Sequence, residues 1–395
     1  MSVPGPLDGL LVVDLTRALA CPHATMTMGD HGARVVKVEP PSGDDSRTWG
    51  PPFVCPPDDP VSTYFLSCNR NKESVTADLR SEDGQWLLTE LVRRADVLAE
   101  NYRPGVLERF GFGVDRLHEL NPGLIILSIS GFGHDGPESS RAGYDQIAQG
   151  EAGLMSITGQ PGTPMRVGVP IADLLGGLTG LVGVLAALAE RQRTGRGTVV
   201  RTSLLASVVG IHAFQGTRWT VAGEVPEPVG THHPAIAPYG LFHAGATPMQ
   251  IAVGTAPQWR SFAPLVGLDP DDLRFVDNAQ RVAHRDELTA AIEAALGGDS
   301  VETWLARLAD AGIPAGRVRT LDEVYTWDQT ASQGLLLDVD HPTLGTVTLP
   351  GSPLRFEASD GGEHSVPTGA PPRIGEHNES VRAWLTERGA SGGPT

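Results

Sequence analysis

Lysine is nearly missing from this chain. Among 395 residues only Lys37 and Lys72 carry an ε-amine, against 28 arginines. Neither lysine lies in a G-x-x-x-x-G-K-[ST] motif, so a P-loop is excluded, and Schiff-base chemistry would have to use one of these two positions. Cysteine is almost as scarce. Cys21, Cys55 and Cys68 form an odd set without C-x-x-C, which indicates neither a disulfide framework nor a zinc ribbon and fits a reduced, cytoplasmic setting. There is no H-E-x-x-H, and no G-x-G-x-x-G follows the first strand-like run. The one G-x-S-x-G, Gly389–Gly393, falls in a small-residue tail (Gly389–Thr395) expected to be disordered, where no strand-to-helix turn can build a nucleophile elbow. Of 12 histidines only His232 and His233 are adjacent, with no carboxylate or cysteine at ligand spacing, so no metal site is expected.

Positive charge is also short. Thirty Lys and Arg against 47 Asp and Glu leave a formal charge of −17, which argues against nucleic-acid binding. An anionic ligand must be met by a local group of arginines. Met1–Gly9 holds Pro4 and Pro6 with neither a basic nor an apolar region, and is not expected to act as a signal peptide. The longest uncharged apolar run, Leu174–Ala189, has 16 residues against the roughly 20 of a bilayer span. It is expected to be a buried helix, with no membrane association.

What is present alternates in the manner of a parallel α/β domain. Leu10–Leu15 reads as a strand, Pro22–His31 as a helix closed by Gly32, and Arg34–Glu39 as a second strand, a βαβ unit. A helix at Ser81–Arg94, a short strand at Asp96–Ala99, two short helical patterns (Pro104–Phe110, Asp115–Leu120) and the strand Leu124–Ser130 continue it. Residues 149–172 read as loop, followed by a helix over Leu174–Gln192 and a strand over Thr198–Thr202. The fold class is therefore α/β, an open Rossmann-like parallel sheet. Residues 1–222 form its N-terminal part, 223–330 a smaller α+β domain beginning with a Pro-rich linker, and 331–395 a return segment completing the large domain.

On its residues alone, Asp173 before a Leu/Gly/Ala helix reads as an N-cap. Gly176, Gly177, Gly180 and Gly183 recur three or four apart in that helix, at about 1 kcal/mol each relative to alanine. Something must approach closely enough to offset this. A partner subunit and packing inside one chain both answer.

The ordered segments PLDGLLVVDLTRALACP, GDHGARVVKVEPPSGDDSR, NRNKESVTADLR, ADVLAENYRPGVLERFG, LNPGLIILSISGFGHDGP, RAGYDQIAQGEAGLMSITG, GTPMRVGVPIADLLGGLTG, LAALAERQRTGRG, HHPAIAPYGLF, GIPAGRVRTLDEV and IGEHNESV run over almost the whole chain. They resemble the class III CoA-transferases, the family of the carnitine and formyl-CoA transferases and α-methylacyl-CoA racemase. The resemblance implies an interlocked homodimer that takes acyl-CoA and a carboxylic acid as substrates and holds no permanent cofactor. It implies that Asp173 is the nucleophile, passing through aspartyl–acyl anhydride and aspartyl-CoA thioester, with the helix N-terminus keeping the carboxylate ionised and supplying free N–H groups for an oxyanion. It places CoA against Leu19 and Ala20, Ala77, Asp78, Leu79 and Arg80, Asn101, Tyr102 and Arg103, Arg109, and Tyr144 and Asp145. The racemase branch has a histidine where Tyr144 stands. With an ordinary pKa near 10 tyrosine is a poor base, which favours transfer over epimerisation. Tyr144 as a packed core aromatic is the plainer reading. A racemase-type epimerase and a CoA-ester-binding homologue without turnover are the alternatives. Pro40 replaces an arginine of the formyl-transferase branch, with Lys37 or Arg47 as expected substitutes. HAGATPMQIAVG lacks that branch's glycine run, which argues against oxalate or formate. Glu151 is a candidate second carboxylate or an exposed loop residue.

Overall fold

The structure is a computed structural model that describes residues 4–54, 60–357, 361, 362, 364 and 366–389. Cys55 and the tail beyond Gly389 lie outside the described residues. The chain divides into a larger unit (Met1–Leu154, Val167–Gly223 and Asp328–Thr395) and a smaller one (Met155–Arg166 and Glu224–Trp327).

The larger unit is built on six parallel strands: β1 (Leu11–Asp14), β2 (Arg34–Glu39), β3 (Lys72–Thr76), β4 (Val97–Glu100), β5 (Ile125–Ser130) and β6 (Val199–Ser203). Their order across the sheet is β3-β2-β1-β4-β5-β6, every neighbouring pair parallel. The chain thus winds outward from β1 in one direction, returns, and winds outward in the other. Strand runs such as LVVD and IILSIS are buried throughout because helices cover both faces. On one face, α2 (Glu82–Val92) and the C-terminal helix (Asn378–Gly389) pack through Leu87, Leu88, Leu91, Val381 and Leu385. On the other lie α1 (Ala20–Asp30) and the long helix α4 (Ile171–Thr194), with Ala24, Met28, Leu181 and Val184 inward.

Strand β3 is absent from the sequence reading because KESVT lacks an apolar run. It lies at the sheet edge, and its Lys72 is sequestered by Asp14 of β1. Helix α4 spans 24 residues, eight beyond the uncharged run, since Ile171–Asp173 and Glu190–Thr194 also wind into it. By length and composition it could cross a membrane, contrary to the expectation from the 16-residue count. It is also not buried on all sides: its glycine face packs inward, while Leu178, Val182 and Leu185 are exposed. The glycines are accounted for within the chain. A Cβ on Gly177 would lie 2.3 Å from the Ala20 carbonyl oxygen, one on Gly180 2.9 Å from Leu127, and one on Gly183 2.4 Å from Val200. Residues 149–172, read as loop, contain the end of a further helix, α3 (Asp145–Glu151).

In the smaller unit the strands Tyr239–Ala244, Thr247–Ala252 and Ala315–Arg317 form an antiparallel sheet. Its core gathers Phe242, Met249, Trp259, Phe262, Phe275 and Trp304 from sheet and helices.

Candidate active site

Strand β1 is where the winding reverses, so the loops leaving the carboxyl ends of β1 and β4 diverge and open a crevice between them. A cleft of about 350 Å³ lies there, walled by residues 17–20 after β1, 101–104 after β4, Ser130 and Gly131 at the end of β5, Arg141–Tyr144, and Asp173. Leu19, Ala20, Asn101, Tyr102, Arg103, Tyr144 and Asp173 are therefore brought together. Tyr144 is 65% exposed, so it is not a core aromatic. A second cleft of about 210 Å³ is lined by Ala77, Asp78, Leu79 and Arg80 with Pro40 and Pro41, and it shares Arg17 and Tyr102 with the first.

Asp173 is not the N-cap of its helix. Pro170 takes that position, and Asp173 is third in the first turn. The capping acceptor comes from elsewhere: Asp145 Oδ1 accepts from the Ala172 amide at 2.8 Å and the Asp173 amide at 3.4 Å, while its Oδ2 accepts from Gln149 Nε2 at 2.7 Å. Ile171 N donates to Val169 O and Leu174 N to Pro170 O. The first-turn amides are thus engaged, which corrects the expectation that they are free for an oxyanion. The expectation of a carboxylate held ionised is corrected as well. Burial, and after it the charge of Asp145, push the Asp173 carboxyl from 3.8 up to about 7. Asp145 does not line the cleft; it positions α4 and makes the Asp173 carboxylate more basic.

The loop after β1 is pinned from beneath. Lys37 Nζ donates to Thr16 O at 2.8 Å and pairs with Asp44 at 2.9 Å, both side chains fully buried. Asp44 Oδ1 accepts from Ala18 N at 3.3 Å. Burial alone would raise the Asp14 carboxyl, but Lys72 and Lys37 hold it well below the carboxylate range. Above, the Asn101 amide clamps Arg17: its Oδ1 accepts from Arg17 N at 2.9 Å and its Nδ2 donates to Arg17 O at 2.8 Å. Lys37 is therefore no substitute for the arginine missing at Pro40. Nor is Arg47, which forms a double hydrogen bond to Glu39 with its guanidinium 3.7 Å from the Phe65 ring centre. Neither lines the second cleft, where Arg17 and Arg80 are the cations.

Arg109 ends a short helix, Val106–Arg109, exposed and on the wall of neither cleft; its Nη1 lies 4.0 Å from where a Gly105 Cβ would stand. Glu151 is exposed and paired with Arg141. Sequence reasoning missed Arg17, Asp45, Trp49 and Arg141 on the cleft wall, and Tyr64 behind it. Tyr64 packs with Leu19 and Leu174 and meets Trp49 edge-on at 5.0 Å; burial, then the Asp173 charge, push its hydroxyl well above the usual value. Position after a strand's carboxyl end, the signal that marks ligand crevices in such sheets, would have pointed to Arg17.

Comparison with known proteins agrees with this architecture. Residues 7–378 match the family described as CoA-transferase family III. The chain is 37% identical over 380 residues to the succinyl-CoA:glutarate CoA-transferase of Mus musculus, covering 95% of this chain and 85% of the mouse protein. It is 38% identical over 383 residues to the acetyl-CoA:oxalate CoA-transferase of Acetobacter aceti, covering 96% and 95%. The crystal structure of a CAIB/BAIF family protein from Brucella suis superimposes with a TM-score of 0.85 at 39% identity, covering 97% of this chain and all of that one. The chain belongs to CoA-transferase family III.

Proposed function

We propose that this protein moves CoA from an acyl-CoA to a free carboxylic acid, with Asp173 as the nucleophile. The observation that carries the reading is Asp173 itself: a carboxyl on the first turn of a packed helix, set in the wall of a cleft at the sheet's reversal point, with no other carboxylate but exposed Asp45 on that wall among the described residues.

The Asp173 carboxylate attacks the thioester carbonyl and expels CoA thiolate, leaving a mixed anhydride. The thiolate attacks the aspartyl carbonyl of that anhydride, which releases the donor carboxylate and leaves an aspartyl-CoA thioester. An acceptor carboxylate attacks this thioester, expelling the thiolate again and forming a second anhydride. The thiolate then takes the acceptor acyl group, and Asp173 is returned as a carboxylate. Each step exchanges one acyl bond for another, with no net proton or phosphate consumed. A carboxylate whose pKa is lifted to about 7 is a stronger nucleophile than an ordinary one, at the cost of being half protonated at that pH. Asp145 supplies part of that lift and fixes the turn that carries Asp173. CoA would lie across both clefts. Its pantetheine arm would run by Leu19, Ala20 and Tyr144. Its nucleotide would sit among Ala77–Arg80 near Tyr102, with Asn101 holding the loop and Arg103 and Arg109 toward the rim.

The relatives' names pair succinate with glutarate and acetate with oxalate; the acceptors, glutarate and oxalate, are short dicarboxylic acids, and the acceptor here belongs to that class; the lost glycine run alone does not remove oxalate from it. The partner is a second copy of the chain. Leu178, Val182 and Leu185 on α4 and Phe214, Trp219 and Val221 on the helix Ala213–Ala222 leave apolar surface that a homodimer would cover.

Trapping tests the mechanism. Hydroxylamine or borohydride added during turnover should modify a peptide containing Asp173. An unmodified peptide in a sample that is exchanging labelled acid into acyl-CoA would refute the covalent route.

A further inference from the structure

The geometry points to Arg17 as the subsite for the second carboxylate of a dicarboxylic substrate. The proposal deepens the CoA-transfer reading and rests on it.

Arg17 shares the cleft wall with Asp173. The two are brought near by the chain itself: Ala20, three residues on, has its carbonyl against Gly177, one helical turn beyond Asp173. The Arg17 backbone is clamped on both sides by the Asn101 amide, and its guanidinium lies 5.7 Å from the Tyr102 ring centre. The backbone from which the guanidinium projects is thus fixed before any ligand arrives.

Its hydrogen-bonding capacity is only partly used, by a side-chain hydrogen bond to the Tyr102 hydroxyl. The Nε is buried without a hydrogen-bond partner, and the Nη1 contact to Asp45 is 3.6 Å, longer than a hydrogen bond, between partly exposed groups. Arginine offers five donors in a fork that matches a carboxylate in two-point contact. Arg141, also on the wall but exposed, is engaged by Glu138 and Glu151 and packed 4.7 Å from the Phe132 ring centre. Arg103 is exposed.

Charge gives the reason such a residue is needed. Attack on the thioester uses one carboxylate of the acid. The other, entering a cleft in a chain of formal charge −17 beside Asp173, Asp45 and Asp145, has to be neutralised locally. Asp45 meets the guanidinium only through Nη1, at 3.6 Å, and is itself 64% exposed, so a substrate carboxylate competes with a loosely held surface group. A phosphate of CoA is the other oxyanion that could reach Arg17, since the residue also borders the second cleft, but that cleft has Arg80 of its own.

The test compares glutarate with its monomethyl ester as CoA acceptors, using butyryl-CoA and succinyl-CoA as donors, for the parent protein and for Arg17→Met and Arg17→Lys. The parent should favour glutarate by tenfold or more in kcat/KM. Arg17→Met should bring that ratio toward one, and raise KM for succinyl-CoA more than for butyryl-CoA. Arg17→Lys, which keeps the charge but loses the fork, should fall between them and serves if the Met variant does not fold. A parent without preference for the free diacid overturns the proposal, as does a Met variant that keeps it. KM rising equally for both donors, with the acceptor ratio unchanged, assigns Arg17 to the phosphates of CoA instead. A parent that moves CoA to none of these acids refutes the transfer reading itself, and this proposal with it.

Discussion

Replacing Asp173 with asparagine should abolish CoA exchange and yet make the folded protein more stable in mild alkali. The carboxyl is lifted from 3.8 to about 7 by burial and by the charge of Asp145. The native state therefore holds a proton that the unfolded chain gives up between those values, and stability falls as pH rises from about 4 to about 7, then levels. At about 1.4 kcal/mol per unit, a lift of roughly three units makes the ionised carboxylate cost at most about 4 kcal/mol above pH 8, before solvent at the cleft mouth reduces it. Below pH 4 the neutral acid and the amide are near equals. Denaturant unfolding of parent and Asp173→Asn at pH 4, 6 and 8.5 reads this directly: no difference at the lowest pH, and a growing advantage for the variant above it. A variant no more stable than its parent at pH 8.5, or one whose advantage is the same at every pH, would show that the cleft does not penalise the charge. Exchange activity, measured on the same samples, should fall by three orders of magnitude or more. A variant as active as its parent removes Asp173 from the chemistry.

Asp145→Asn keeps an oxygen to cap α4 but removes the neighbouring charge, so the acid limb of the kcat/KM profile, set near pH 7 in the parent, should move to lower pH while burial still holds it above the ordinary carboxylate range; an unmoved limb would exclude the coupling. Gly177→Ala sets a methyl 2.3 Å from the Ala20 carbonyl oxygen, and should cost about 1–3 kcal/mol in denaturant unfolding and push residues 17–20 out of register, lowering exchange together with stability. Loss of neither would mean the helices separate freely. Val182 is 66% exposed and Trp219 58% exposed; the double change Val182→Lys, Trp219→Glu should lower the mass seen by light scattering from two chains to one, and a parent already of single-chain mass would dismiss the dimer. Asp44→Ala removes the direct ion-pair partner of buried Lys37, leaving it the Thr16 carbonyl and the charges of Asp14 and Glu39, and should cost about 1–3 kcal/mol, read by denaturant unfolding; a change below about 1 kcal/mol would mean the pair is not closed in solution.

The sheet was legible because doubly buried strands such as LVVD and IILSIS are largely apolar runs bounded by helix signals, and RVVKVE still carries three valines directly after a helix closed by glycine. Lys72–Thr76 was not, because an edge strand whose first residue is a buried lysine has no such signature: its burial depends on Asp14, 58 positions away. Asp173 was legible through the resemblance, but its environment was not. The sequence places it at a helix start, where a positive dipole end suggests a lowered pKa; only the fold buries the carboxyl and brings Asp145 onto the same amides, which reverses the sign. Arg17 illustrates a similar limit. Its neighbours in the chain are ordinary, and its weight comes from Asn101 and Tyr102, which arrive from another strand.

Both lysines lie fully inside the larger unit, each locked to an aspartate. Acyl-CoA and the anhydrides proposed above are acylating agents, and amines are the groups they damage most readily. An enzyme with no ε-amine at its surface offers stray acyl groups no side-chain amine to land on, so it should survive long incubation with its own reagents without accumulating N-acyl adducts on its side chains.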